Sequence, residues 1–185
     1  MTNTPTLLGL CGALRTNSYN RKLLHQAAHE FGPAKFIEAD LSLPLYNGDV
    51  EAQSGIPGPV QKLAHHIADA DAVVITTPEY NRSLSGVLKN ALDWISRVED
   101  SPWHNKPVAI MSATAGRSGG ERAQSALRLC LTPFQVCLIT GPEVLVAQSF
   151  EQFDDDGQLK NERYQAALAT VMQNLRSWIS TPSTS

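Results

Sequence analysis

Three segments concentrate side chains that could do chemistry: Gly12 to Asn20 (GALRTNSYN), Pro78 to Gly86 (PEYNRSLSG) and Ser112 to Arg122 (SATAGRSGGER). The first sets Arg15 among Thr16, Asn17 and Ser18 where a helix is about to begin. A phosphate needs hydrogen-bond donors and positive charge, and a helix start supplies exposed amides and the positive end of a dipole. The same residues also suit helix capping, Ser18 or Asn20 foremost. The segment is no Walker loop, because G-x-x-x-x-G-K-[ST] is absent, and GLCGALR is no G-x-G-x-x-G dinucleotide fingerprint. It implies one phosphate.

In the second segment Pro78 brings no N–H and turns the chain off an apolar strand. The amides of Glu79, Tyr80 and Asn81 could then meet acceptors on the edge of a flat heteroaromatic ring, since buried donors left unmatched are costly. An ordinary strand-to-helix turn, capped by Asn81 and Ser83, is the alternative. The third segment carries Ser112, Thr114 and Gly116, then Gly119 and Gly120, which permit close backbone approach or start the next helix. Arg117 and Arg122 suit either an anionic second ligand or plain solvent.

Other candidates are weaker. Cys11 and Arg15 are separated by three residues, too tight a span to wrap a phosphate between thiolate and arginine, so Cys11 reads as a small buried hydrophobe. His25 and His29 share a helix face but lack a third ligand, and Asp154–Gly157 (DDDG) lacks the rest of a calcium loop, so no metal is expected.

The elements that must position these segments follow from hydrophobic pattern. Apolar runs at Thr6–Cys11, Ala34–Ala39, Asp71–Thr77, Pro107–Ala113 and Val136–Thr140 read as strands, with Val144–Val146 extending the last. Between them lie helix-period stretches: from about Asn20, over Pro57–Ala70, through Val87, Ala91, Trp94, Ile95 and Val98, and over Gly120–Leu131. A final helix near Asn161–Ile179 is expected to bury Tyr164, Leu168, Val171, Leu175 and Trp178. YNGDVEAQSGIPGP and EQFDDDGQ read as surface loops. Alternation of this kind predicts an α/β fold with a five-stranded parallel sheet, helices on both faces and the flavodoxin-like order 2-1-3-4-5. Ligands in such sheets bind outside the carboxyl ends of the strands, which makes the three segments neighbours.

The bulk numbers set the remaining bounds. A length of 185 residues with 42% hydrophobic and 18% charged content predicts one globular domain over residues 1–185. A net charge of −3 gives no basic field for nucleic acid. Three dispersed cysteines without a C-x-x-C pair suit a reducing cytoplasm. The first ten residues read as neither signal peptide nor anchor, and no apolar run is long enough to span a membrane.

Together, GALRTNSYN, TPEYNRSLSGVLKNALDWISR and SATAGRSGGERAQSALR resemble the signature segments of the NADPH-dependent FMN reductase family, in order and spacing across nearly the whole chain. Two positions depart from the usual pattern: Ala13 stands where serine is common, and Asn17 where glycine is common. The resemblance implies an FMN phosphate held by Ala13, Leu14, Arg15, Thr16, Asn17, Ser18, Tyr19 and Asn20. It places the isoalloxazine against Pro78, Glu79, Tyr80 and Asn81, with Thr114 a further flavin contact. It implies hydride transfer from NADPH (or NADH) through FMN to quinones, chromate or azo compounds, with Tyr80, Gly116 and Arg117 beside the substrates. The flavin carries the chemistry, so no catalytic side chain is expected. A homodimer or dimer of dimers is implied, with Arg122 and Glu143 as candidate contacts between dimers.

Two other classes compete. Flavodoxin-like electron carriers usually have a T-x-T-x-x-T phosphate loop and a strongly acidic surface, neither present here. A nicotinamide dehydrogenase would place Glu38 or Asp40 on a ribose but would need the missing glycine fingerprint. A non-catalytic flavin-binding protein stays open at this stage.

Overall fold

A computed structural model describes residues 4–180. Strand β1 (Thr6–Cys11) leads into α1 (Tyr19–Phe31), then β2 (Lys35–Ala39), α2 (Gly48–Ser54), α3 (Gly58–Asp69) and β3 (Ala72–Thr76). The second half runs through α4 (Gly86–Ile95), β4 (Pro107–Ala113), α5 (Glu121–Leu131), β5 (Cys137–Leu138), β6 (Val144–Val146), α6 (Ser149–Gln152) and α7 (Glu162–Ser180). The strands pair in parallel in the order β2-β1-β3-β4-β5, as the alternation predicts, and β6 also pairs with β4.

The fifth strand position is filled in two pieces: the strand expected at Val136–Thr140 shortens to Cys137–Leu138, and Val144–Val146 extends it as expected. Pro107 and Val108 of β4 face Cys137 and Leu138, whereas Met111 to Ala113 face Val144 to Val146. Since β3 occupies the other edge of β4, β5 and β6 are two pieces of one strand position, interrupted at Ile139–Glu143.

Period-two alternation splits the strand side chains between two cores. Leu8, Leu10, Val73, Ile75, Val108 and Ile110 meet α3, α4 and α5 on one face. Leu7, Cys11, Ala72, Val74, Ala109 and Met111 meet α1 and α7 on the other. A sheet covered on both faces explains why β1, β3 and β4 are apolar without alternation in sequence.

Two expectations change. The stretch read as a loop at Tyr46–Pro59 contains α2, which buries no residue and therefore shows no apolar period; Asn47 Oδ1 caps it by accepting from the Asp49 amide at 2.9 Å. Trp178 is 53% exposed, because Leu168, Val171, Met172 and Leu175 already fill the inward face of α7. The acidic stretch is an exposed turn at Asp154–Gly157, as expected; buried Phe153 and Leu159 flank it, and Gln26 Oε1 accepts from the Leu159 amide at 2.8 Å.

The motif after β3 has a structural explanation. Ser85 Oγ caps α4 through the Leu88 amide, at 3.4 Å. Asn90 Nδ2 and Trp94 Nε1 both donate to the Pro44 carbonyl, at 2.9 and 2.7 Å, and Asn90 Oδ1 accepts from the Tyr46 amide. Trp94 is fully buried, so its helix holds the segment after β2 within the same chain and offers no tryptophan surface to a partner.

Candidate functional site

The loops after β1, β3 and β4 meet at the carboxyl ends of the strands and enclose a cleft of about 540 Å³, within the range typical of cofactor sites. Ala13, Arg15, Ser18, Tyr19 and Asn20 line it from the first loop, Pro78, Glu79 and Tyr80 from the second, and Thr114 and Gly116 from the third. Ala113, Ala115, Ser118 and Ser149 complete the lining. Leu14, Thr16, Asn17, Asn81 and Arg117 are exposed and stand outside it.

The first loop starts α1. Ser18 caps the helix, its Oγ accepting from the Asn20 amide at 3.2 Å. The amides of Arg15, Thr16, Asn17 and Tyr19 donate to no other group among the described residues. Unpaired donors at the positive end of a helix are what an anion requires. Asn20 serves differently from a phosphate donor: its Nδ2 donates to the Ala113 carbonyl at 2.8 Å and its Oδ1 accepts from the Ala113 amide at 3.0 Å. That pair fastens the start of α1 to the end of β4.

The second loop is a tight hairpin. The amides of Tyr80 and Ser83 each donate to the other's carbonyl at 3.0 Å, and Asn81 and Arg82 have φ of 49° and 66°. Positive φ at both central residues defines a type I′ turn, unusual for an arginine. The amide of Tyr80 is therefore engaged, and those of Glu79 and Asn81 are the ones left without a partner in the described chain. The turn leaves the Tyr80 ring 58% exposed beside the cleft.

Glu79 explains the carboxylate in this loop. Its Oε2 accepts from the amides of Arg122 and Ala123, at 3.1 and 3.4 Å. Gly120 occupies the N-cap position of helix α5 and has no side chain to cap it. Glu79 supplies that cap from another loop and meets the helix dipole with negative charge.

The third loop is braced from below. Ser112 Oγ donates to the Gly119 carbonyl at 2.6 Å, and Gln124 Nε2 donates to Ser112 Oγ and the Val144 carbonyl at 2.8 and 2.9 Å. A Cβ on Gly120, whose φ is 96°, would lie 2.6 Å from Ser112 Oγ, and one on Gly119 would lie 2.5 Å from the Leu145 carbonyl. Only glycine fits this close approach. The amides of Gln148 and Ser149 strap the loop by donating to Gly116 and Thr114.

Several candidates take other roles. Cys11 is buried and its thiol donates to the Ala13 carbonyl at 3.5 Å; burial pushes its pKa up, so it is no thiolate nucleophile. Arg122 stands 3.8 Å from Glu79, and Glu143 pairs with Arg128 at 3.0 Å, both within the chain. His25 lies 2.7 Å from Glu38, and among the described residues no three His, Cys, Asp or Glu side chains converge on a metal-sized site. Pattern reading passed over Arg21, Ser118 and Ser149: Arg21 bonds Glu38 across 17 positions as well as the first loop, and Ser149 reaches the Thr114 carbonyl from beyond β6.

A flavodoxin-like sheet with one anion-ready loop opening on a cleft of about 540 Å³, and no dinucleotide fingerprint, suits a mononucleotide cofactor. The family model for NADPH-dependent FMN reductase matches residues 5–151, and the chain belongs to that family. It is 41% identical over 181 residues to an NAD(P)H-dependent FMN reductase of Pseudomonas aeruginosa, covering 97% of each chain. It is 38% identical over 172 residues to a 2-hydroxy-1,4-benzoquinone reductase of a Burkholderia species, covering 91% of this chain and 92% of that one. Among solved structures, the flavoenzyme NAD(P)H:(acceptor) oxidoreductase FerB of Paracoccus denitrificans superposes with a TM-score of 0.85 at 31% identity. That match covers 96% of this chain and 98% of FerB. The protein is accordingly a flavin-dependent oxidoreductase that uses FMN and NAD(P)H.

Proposed function

We propose that the chain is a single FMN-binding domain that takes hydride equivalents from NAD(P)H and delivers them to quinones and related small acceptors. The carrying observation is the convergence of the three loops on one cleft, with unpaired amides at the start of α1 and the exposed Tyr80 ring at its rim. The residues present fit FMN: an arginine and free amides for one phosphate, Pro78 and Glu79 for a planar ring, and Thr114 across the cleft. Bound FMN would supply the two-electron chemistry. The chain's own part is positional. Arg15, Ser18 and the first-loop amides bind the phosphate. Pro78, the Glu79 amide and the Asn81 amide orient the ring edge, and Asn20 and Glu79 keep the three loops in register. Tyr80, Gly116 and Arg117 bound the open side, where nicotinamide and acceptor enter. No side chain is needed as nucleophile or general base.

Relatives named as quinone reductases support quinones as the acceptor class. We place the enzyme in the cytoplasm as a homodimer or dimer of dimers; exposed Leu45, Tyr46 and Val50 leave apolar surface for a second copy. No helix among the described residues is long and apolar enough to cross a membrane. Titration of the purified protein with FMN, followed by absorbance and by NADPH consumption with a benzoquinone, tests the reading. Protein that takes up no FMN, or whose quinone reduction is unaffected by flavin, overturns it.

A further inference from the structure

Arg21 lies behind the first loop, outside the cleft lining. Its Nη1 donates to the carbonyls of Arg15 and Thr16, at 3.2 and 3.3 Å. Its Nε donates to Glu38 Oε1 on β2 at 2.7 Å, and Glu38 Oε2 lies 2.7 Å from His25 Nε2 on α1. The guanidinium therefore ties two successive loop peptides to the neighbouring strand.

In a trans peptide the C=O and the following N–H point in opposite directions. Drawing the Arg15 and Thr16 carbonyls toward Arg21 turns the amides of Thr16 and Asn17 away from it, and those amides have no partner among the described residues. A planar fork fixed by Glu38 can hold both carbonyls at once, which a lysine ammonium on a flexible stem cannot match. We propose that Arg21, anchored by Glu38, is a positioning residue that presets the first loop for the FMN phosphate without touching it. The proposal rests on the reading that this loop holds the phosphate. Its advantage is pre-organisation: the loop need not be ordered when the ligand arrives.

Affinities for FMN and for riboflavin, which lacks the phosphate, separate the possibilities when read by fluorescence titration at one ionic strength. Wild-type protein binds FMN more tightly than riboflavin; equal affinities would mean that the phosphate reading itself fails. In Glu38→Ala the charge of Arg21 survives and a nearby negative charge is lost, so a purely electrostatic Arg21 would tighten FMN. A positioning Arg21 instead predicts that Glu38→Ala and Arg21→Lys each weaken FMN about tenfold while riboflavin affinity stays the same. FMN affinity unchanged or increased in Glu38→Ala, with the wild-type preference intact, overturns the proposal. So does a parallel loss of riboflavin, which would mark general damage to the cleft.

Discussion

At the scale of single residues, two arginines six positions apart divide the work at the first loop. Arg15 is exposed, and among the described residues its guanidinium donates only to the Asn17 carbonyl, at 3.3 Å, leaving donors for a ligand. A charge-assisted hydrogen bond contributes about 1.5–3 kcal/mol, so Arg15→Ala is expected to weaken FMN binding about ten- to a hundredfold. Unchanged affinity in a flavin titration would assign the phosphate to the amides alone. Cys11, only four residues away, behaves oppositely. Its thiol pKa is raised by burial, so the protonated form favours folding below the unfolded thiol's pKa, and that contribution is lost as pH rises through the folded value. At neutral pH, alkylation of native protein should modify half-buried Cys130 and Cys137 and spare Cys11 until denaturant is added. Mass spectrometry reads the outcome, and labelling of Cys11 at the same rate as the others would show that the end of β1 opens in the native state.

At the scale of elements, the site is three loops whose spacing is set by side chains reaching between them. Asn20 joins the first to the third, and Glu79 joins the second to the third. Glu79 is largely buried, with 14% of its side chain accessible. Loss of a cap costs about 0.5–2 kcal/mol, so Glu79→Ala should lower the denaturant midpoint by the corresponding amount, and Glu79→Gln, which keeps an acceptor oxygen, by less. Equal midpoints for wild type and Glu79→Ala would show that solvent caps α5 as well as the carboxylate does. The strands and the three loops were legible in the sequence because a sheet covered on both faces leaves unbroken apolar runs, with polar residues crowded at their ends. The braces were not. Glu79 meets its partners 43 and 44 positions away, and Arg21 meets Glu38 across 17, so each reads locally as a solvated charge. Helix α2 escaped notice because periodicity records burial, and none of its residues is buried.

At the scale of the whole molecule, the strand order places the cleft at the carboxyl edge shared by β1, β3 and β4, lined by Tyr80 and Gly116, with exposed Arg117 next in sequence to Gly116. On the proposed function, nicotinamide and quinone would each stack within hydride-transfer distance of the same ring, and one open face would not take both. The first product would then leave before the second substrate enters. Reciprocal plots of rate against NADPH at several fixed quinone concentrations are therefore expected to be parallel, whereas intersecting lines would mean simultaneous binding and a second face. Arg117 makes none of the ion pairs among the described residues and is exposed between cleft-lining Gly116 and Ser118, so on the proposed function it is the cation to meet the extra phosphate of NADPH. Because exposed charge pairs are screened, Arg117→Ala should reduce the ratio of kcat/KM for NADPH over NADH by only about two- to fivefold. The loss should fall on KM for NADPH and leave the quinone limb of the kinetics unchanged, since the two half-reactions share the cleft but never its occupancy. An equal fall with both nicotinamides would instead place Arg117 on chemistry common to them, such as the pyrophosphate, and would move the discrimination elsewhere on the third loop.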